Sequence, residues 1–310
     1  MILPGRAGIE DYRSGKMDYR TAHPLYFLQA RIKCFTYYKP SGLVSCQEIP
    51  LSAIGVFDSG VGGLTVAEAI QAALPAEDIV YIGDTARVPY GNKSKKSIIE
   101  FSFQNVKFLL DKGVKIIVVA CNTASAAALP ALVERFSVPI IGVIDAGVRK
   151  ALSLGVKRIG VIGTYRTVMS GAYETALTRS NAVTVVQKPC PLFVPIIEEN
   201  FQNHPAARLV IQEYLDTMAS SIDALILGCT HYPLIKSEIA RIYPSLTLVD
   251  SATAVAEDVD ALLSARSLRA NDRPGKSASH RYYVTDLSEN FVDIARRILG
   301  TDTTIEEISL

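Results

Sequence analysis

From residue 54 onward, short and almost wholly apolar runs alternate with longer stretches whose apolar positions recur every three or four residues. Ile54–Phe57, Ile79–Ile82, Ile116–Val119 and Pro139–Ile144 read as strands buried on both faces, the last ending in Asp145. Leu64–Leu74, Ser97–Lys112 and Ala124–Leu132 read as helices, with Pro75 and Gly113 as stops. The series then restarts. Arg158–Ile162 is a strand, a helix runs from about Thr167 to Thr178, and Val183–Gln187 is a strand. A helix begins near Pro195, another closes over Glu213–Ser220, and strands cover Ala224–Leu227 and Leu246–Val249, the latter ending in Asp250. Strand, helix, strand in succession implies right-handed crossovers and parallel sheets.

Matching features of the two series are offset by 105 to 108 residues, as Ile54 is from Ile159, Cys121 from Cys229 and Asp145 from Asp250. That is the repeat of a domain, not of a solenoid unit. The expected fold is α/β: two pseudo-symmetric parallel-sheet domains, Rossmann- or flavodoxin-like, with the active site between them at the strands' carboxyl ends. The first domain is expected over 54–143 plus 251–310, the second over 144–250. Ala252–Leu268 reads as a helix, Asn271–Ser279 as a polar linker, Tyr282–Thr285 as a strand and Asn290–Leu299 as a final helix packing on the first domain. Residues 1–53 lack periodicity and read as a poorly ordered extension, with Met17 another candidate start and short strands or a docked arm at Tyr26–Leu28 and Cys34–Tyr38.

Composition narrows the class. The 310 residues are 49% apolar and carry 32 basic against 31 acidic side chains, a net charge of +1. A compact globular protein follows, with no electrostatic reason to bind nucleic acid or an anionic membrane. No apolar run is long enough to span a bilayer, and residues 1–50 lack the apolar segment of a signal peptide. Five cysteines, an odd number, argue against a disulfide framework and for a cytoplasmic protein with reduced thiols.

Two of these cysteines occupy equivalent places in the repeat. Cys121 lies in Ala120-Cys121-Asn122-Thr123, after a strand, and Cys229 in Gly228-Cys229-Thr230-His231, after another. Unpaired N–H groups and the helix dipole at such a junction favour negative charge, so a lowered thiol pKa is expected. Inverting a carbon centre by proton transfer needs a base on each face, and two equivalent thiols supply that. One strand-end cysteine is most simply a small buried hydrophobe. A matched pair, each followed by hydrogen-bonding residues, favours catalysis. Cys190, between two prolines, reads as structural. Zinc at Cys229-Thr230-His231 is disfavoured because the spacing fits no usual pattern. Neither metal nor cofactor is expected.

The turn Asp58-Ser59-Gly60-Val61-Gly62-Gly63 has Thr65 where a dinucleotide-binding turn needs its third glycine, and no phosphate-loop Gly-Lys-Ser/Thr is present. Asp58 can instead hold a substrate ammonium or assist Cys121, while N–H groups at Ser59 receive a carboxylate; an Asx turn is the plainer reading. Asn122, Thr123, Thr164, Thr167 and Thr230 put uncharged donors near strand ends of both halves, which suits a small polar substrate. His231 can exchange protons with the Cys229 thiol or with a substrate nitrogen. Glu198 either tunes His231 or is a solvated acid at a helix start.

Asp58–Leu64, Pro89-Tyr90-Gly91, Cys121-Asn122-Thr123, Gly228–Leu234 and the strand at His280–Tyr283 with its helix resemble glutamate racemase, of the aspartate/glutamate racemase superfamily, over about residues 54–310. The resemblance implies cofactor-independent interconversion of L- and D-glutamate, supplying D-glutamate for peptidoglycan. It implies that Cys229 deprotonates L-glutamate and Cys121 D-glutamate, with Asp58, Glu198 and His231 assisting. Substrate contacts would come from Asp58-Ser59, Tyr90-Gly91, Asn122-Thr123 and Thr230-His231, and a homodimer is expected. His231 after Cys-Thr favours glutamate over aspartate, since similar aspartate racemases usually carry an acidic residue there. The departure is the lead: family members mostly start near Ile54, and some carry a shorter extension linked to activation by a cell-wall precursor. Two other readings stand beside this one. A decarboxylase or isomerase of the superfamily would typically keep one cysteine or change its neighbours, and a two-lobed amino-acid binder would leave the twin cysteines without purpose.

Overall fold

The computed structural model describes residues 52–179, 183–270, 278–300 and 303–310, together with the backbone of short strands in the lead. The lead, residues 1–51, is a separate unit. In it Ile32–Phe35 pairs antiparallel with Gln47–Pro50, and Tyr38–Lys39 with Gly42–Leu43. The strand expected at Tyr26–Leu28, the alternative start at Met17 and most of the linker at Asn271–Ser279 lie outside the described residues.

Two sheets, both wholly parallel, organise residues 52–310. β1 (Ala53–Asp58), β2 (Ile79–Gly83), β3 (Val114–Val119) and β4 (Ile140–Gly142) alternate with α1 (Leu64–Ala73), α2 (Lys95–Asp111) and α3 (Asn122–Arg135). α4 (Val143–Ser153) leads to the second series. This comprises β5 (Arg158–Gly163), α5 (Tyr165–Met169), α6 (Ala172–Thr178), β6 (Thr184–Pro189), α7 (Phe193–Glu198), α8 (Pro205–Ala219), β7 (Ala224–Gly228), α9 (Lys236–Ile242) and β8 (Thr247–Asp250). α10 (Ser251–Ala265), β9 (His280–Val284), α11 (Glu289–Leu299) and β10 (Ile305–Glu307) follow. The first sheet runs β10-β9-β2-β1-β3-β4 and the second β6-β5-β7-β8. The order of the second repeats that of the first four strands, so the internal repeat is visible as topology. The tail joins the first sheet through β9 on β2, and α11 packs on α1.

Side chains of a strand point alternately to opposite faces, and each sheet is accordingly apolar on both. Ile54, Val56, Ile116 and Val118 pack with α1, α10 and α11, whereas Phe57, Ile117 and Val119 pack with α2 and α3. Leu225 and Leu227 face α7 and α8, and Ile159, Val161 and Ile226 face α4 and α6.

The structure corrects several boundaries. Pro139–Ile144 is not one strand: β4 stops at Gly142, α4 begins at Val143, and Asp145 lies in the first turn of α4 instead of ending a strand. The expected domain boundary at 143/144 thus falls inside α4. Val143 and Ile144 are buried as helix residues, and an apolar run alone does not separate a buried strand from a buried helix start. The helix expected from Thr167 to Thr178 is two, broken at Gly171, whose φ of 64° is left-handed. The core begins before residue 54, since Ala53 already pairs with Val114.

Candidate active site

Four strand ends converge on the site. β1 ends in Asp58, β3 runs into Cys121, β5 into Thr164 and β7 into Cys229. Unpaired strand-end and helix-start groups therefore collect between the sheets' carboxyl edges.

Asp58 is completely buried. Its carboxylate accepts from the Gly60 N–H at 2.9 Å and from Thr230 Oγ1 at 3.4 Å, which ties the first sheet to the second. Burial raises its pKa above the ordinary 3.8, against the opposing pull of His231 and the turn's N–H groups. The glycines of this turn permit close approach: a Cβ on Gly62 would lie 2.4 Å from His231 Nδ1 and 2.5 Å from Thr230 Oγ1. Thr65 Oγ1 adds a hydrogen bond to the Thr230 carbonyl at 3.0 Å.

Cys121 caps α3. Its sulfur accepts from the Ala124 N–H at 3.4 Å and donates to Ser59 Oγ at 3.5 Å. Its pKa is nonetheless not lowered. Burial, then the charge of Asp58, push it up to about 12, outweighing the Ser59 and Ala124 hydrogen bonds and correcting the sequence expectation for this residue. Helix-end partial charges are small beside the loss of water around a thiolate.

On the other side Cys229 Sγ lies 3.8 Å from His231 Nδ1, and His231 Nε2 lies 2.9 Å from Glu198 Oε1. Burial works to lower the His231 pKa, but its hydrogen bonds to Cys229 and Glu198 prevail and hold it at about 10. Glu198 is the last residue of α7, not a helix start, and its side chain is about one-third exposed. Cys190 is buried, and burial pushes its thiol up to about 12. Its carbonyl accepts from Tyr232.

Thr123, Thr164 and Thr167 form a ring of hydroxyls, with Oγ1 separations of 3.0 Å (Thr123–Thr164 and Thr164–Thr167) and 3.3 Å (Thr123–Thr167). Gly91 packs on Thr164. Tyr90 is buried and gives its phenolic proton to Asp84, with Asn105 Nδ2 donating to the same oxygen. The phenol is thus committed to Asp84 and Asn105. Asn122, beside Cys121, is also buried. Every sequence-predicted site residue thus lies at or beside these strand ends or, for Glu198, on the histidine. Sequence reasoning missed Asp84, Asn105 and Tyr173, which support the site from behind. Asp84 directly follows β2 and was legible as a strand-end acid, whereas Tyr173, the second residue of α6, carries no local signal.

Among the described residues no group of three or more His, Cys, Asp or Glu is placed to hold a metal. None of their helices is long and apolar enough to cross a membrane.

A family model described as Asp/Glu/Hydantoin racemase matches residues 54–259. The glutamate racemase of Persephonella marina is 46% identical over 260 residues, covering 83% of this chain and 97% of its own length. Among solved structures, glutamate racemase from Thermus thermophilus, in complex with β-chloro-D-alanine, has a TM-score of 0.75 and 44% identity, covering 84% of this chain and 97% of that one. Glutamate racemase from Francisella tularensis, in complex with D-glutamate, has a TM-score of 0.77 and 41% identity over the same shares.

Proposed function

This chain belongs to the Asp/Glu/hydantoin racemase family, among its glutamate racemases, and from that membership we propose that it inverts glutamate by proton transfer between two thiols. One observation carries the reading. Two buried cysteines end equivalent strands of a repeated fold, one paired with Ser59 and near Asp58, the other with His231 and Glu198.

The asymmetry between the two arms supports a direction for each. With its pKa near 12, Cys121 is a thiol at neutral pH and holds a proton to deliver. His231, protonated below about pH 10, faces the Cys229 sulfur across 3.8 Å. In that state Cys229 removes the Cα proton of L-glutamate from one face and Cys121 returns a proton to the other. D-glutamate is handled after the two thiols exchange protonation states. The substrate ammonium suits Asp58, and its carboxylates suit the N–H groups at Ser59 and Gly91 and the hydroxyls of Thr123, Thr164, Thr167 and Thr230. The enzyme works without cofactor, as a cytoplasmic homodimer, and supplies D-glutamate for peptidoglycan.

Circular dichroism followed in D2O tests this. L- and D-glutamate should each decay to the racemate, with one solvent deuteron in every inverted molecule, and aspartate should turn over far more slowly. Product that retains its original hydrogen would point to a single shared base. Binding of glutamate without any decay of optical activity would make the chain a binder.

A further inference from the structure

Tyr173 is fully buried where the two cysteine arms meet. α6 brings it from the second sheet, and its hydroxyl donates to Asn122 Oδ1 at 2.7 Å, on the residue that follows Cys121. Its ring backs Gly228, the residue before Cys229, where an added Cβ would come within 3.1 Å of Tyr173 Cε2. A third residue lies beside the phenol. Burial raises the Tyr173 pKa, and a hydrogen bond with Ser251, the first residue of α10, works against that rise; the serine Cβ and the phenolic oxygen would lie 3.5 and 3.6 Å from a Cβ added at Gly147. The phenolic proton is directed to Asn122.

A side-chain amide has one acceptor oxygen and one N–H donor group on opposite sides. Holding the oxygen fixes where the donor points. Asn122 Nδ2 is buried and has no acceptor among the described residues, an arrangement that is costly to leave unmade. Nothing in the fold of the described residues uses that donor, and it stands one residue from a reacting thiol.

We propose that Tyr173 is a positioning residue which, through the Asn122 amide, holds an N–H donor beside Cys121 for a carboxylate oxygen of the substrate. The identity of that carboxylate rests on the glutamate reading above. Without the phenol, the amide can turn over and present its oxygen to an anion, so affinity falls even though packing is kept.

The test is a double-mutant cycle on the full chain, Tyr173→Phe against Asn122→Ala, read as the calorimetric Kd for L-glutamate and, separately, as KM and kcat. Tyr173→Phe should weaken Kd and raise KM about tenfold, the loss of one hydrogen bond to a charged group, with a smaller effect on kcat. Asn122→Ala should do the same, and the double variant should be no worse than Asn122→Ala alone. Ser251→Ala, which leaves Tyr173 in place, should weaken Kd in the same direction and serves as the readout if Tyr173→Phe does not fold. Additive losses in the cycle, or a Tyr173→Phe Kd within about twofold of the wild type, would overturn the proposal. Wild-type protein that binds glutamate but leaves its optical activity unchanged would sink the catalytic reading alone, because Kd still reports on Tyr173. Absence of glutamate binding by the wild type would overturn both.

Discussion

Glu198 Oε1 sits 2.9 Å from His231 Nε2, and the opposite ring nitrogen faces Cys229. Burial alone would discharge the imidazole, yet Cys229 and Glu198 together hold its pKa at about 10 against an ordinary 6.5. A histidine whose pKa is raised by folding contributes stability that is full below the unfolded value and is lost as pH rises through the folded one. The stability advantage of the wild type over His231→Gln should therefore shrink between pH 6.5 and about 10. Glu198→Gln should bring the upper edge of that window down. Urea unfolding at the two ends of the window measures it, and an advantage that does not change with pH refutes the coupling.

In the proposed mechanism the two thiols act as a unit, so neither can be spared. Cys121→Ser and Cys229→Ser should each lower racemisation by about 10²- to 10⁴-fold, the usual weight of a positioned acid or base. The double variant should be little worse than either single one. Steady-state polarimetry on all three, with far-ultraviolet dichroism to confirm folding, decides the point. A single variant that keeps most of its turnover removes that cysteine from the mechanism.

Asp58 raises the pKa of Cys121, second only to burial. Asp58→Asn should therefore make Cys121 a better thiolate and a worse catalyst together. Iodoacetamide at about pH 9 should alkylate Cys121 faster in the variant than in the wild type, while racemisation should fall on the proposed reading, in which Asp58 is the counter-charge of the substrate ammonium. Mass spectrometry of the labelled peptide reads the first effect. Unchanged labelling would show that burial alone sets the thiol.

Gly62→Ala should disable the Cys229 arm without touching it. The new Cβ would fall 2.4 Å from His231 Nδ1, and Glu198 holds the far side of that ring, so either the ring or the glycine turn must move. Misplacement on the ångström scale costs about a hundredfold in rate. The expected kcat loss is of that order, with the melting temperature much less affected. Wild-type kcat in Gly62→Ala would mean that the turn yields freely.

Much of this was legible in the sequence because it is written in runs and repeats. Strands buried on both faces, such as β3 from Ile116 onward and β7, read as apolar runs, and each leads into one of the two matched cysteines. What was hidden depends on packing. Whether Val143 and Ile144 continue β4 or open α4 is decided by neighbours, not by their own character. The direction of the Cys121 pKa turns on burial beside Asp58, and Tyr173 reaches Asn122 from 51 residues away. Glu198 was placed near His231 as one of two alternatives, and only the end of α7 distinguishes them.

Lys115 interrupts the apolar strand β3, and it is buried with Glu77 as an ion pair. The pair also anchors the chain after α10, because Lys115 donates to the Leu268 carbonyl and Glu77 accepts from the Ala270 N–H. Lys115 lies at the amino end of β3 and Glu77 just before β2, whereas the cysteines follow the carboxyl ends of their strands, so this cluster should serve stability and not chemistry. Removing one partner of a buried pair leaves an uncompensated charge and costs about 3–5 kcal/mol. Glu77→Ala and Lys115→Met should each lose stability on that scale in urea unfolding. The double variant should recover only part, since the Leu268 and Ala270 backbone groups remain unpaired. Below the unfolding range kcat and KM should match the wild type. A catalytic defect in the folded variants would mean that the amino edge of the first sheet is coupled to the cysteines after all.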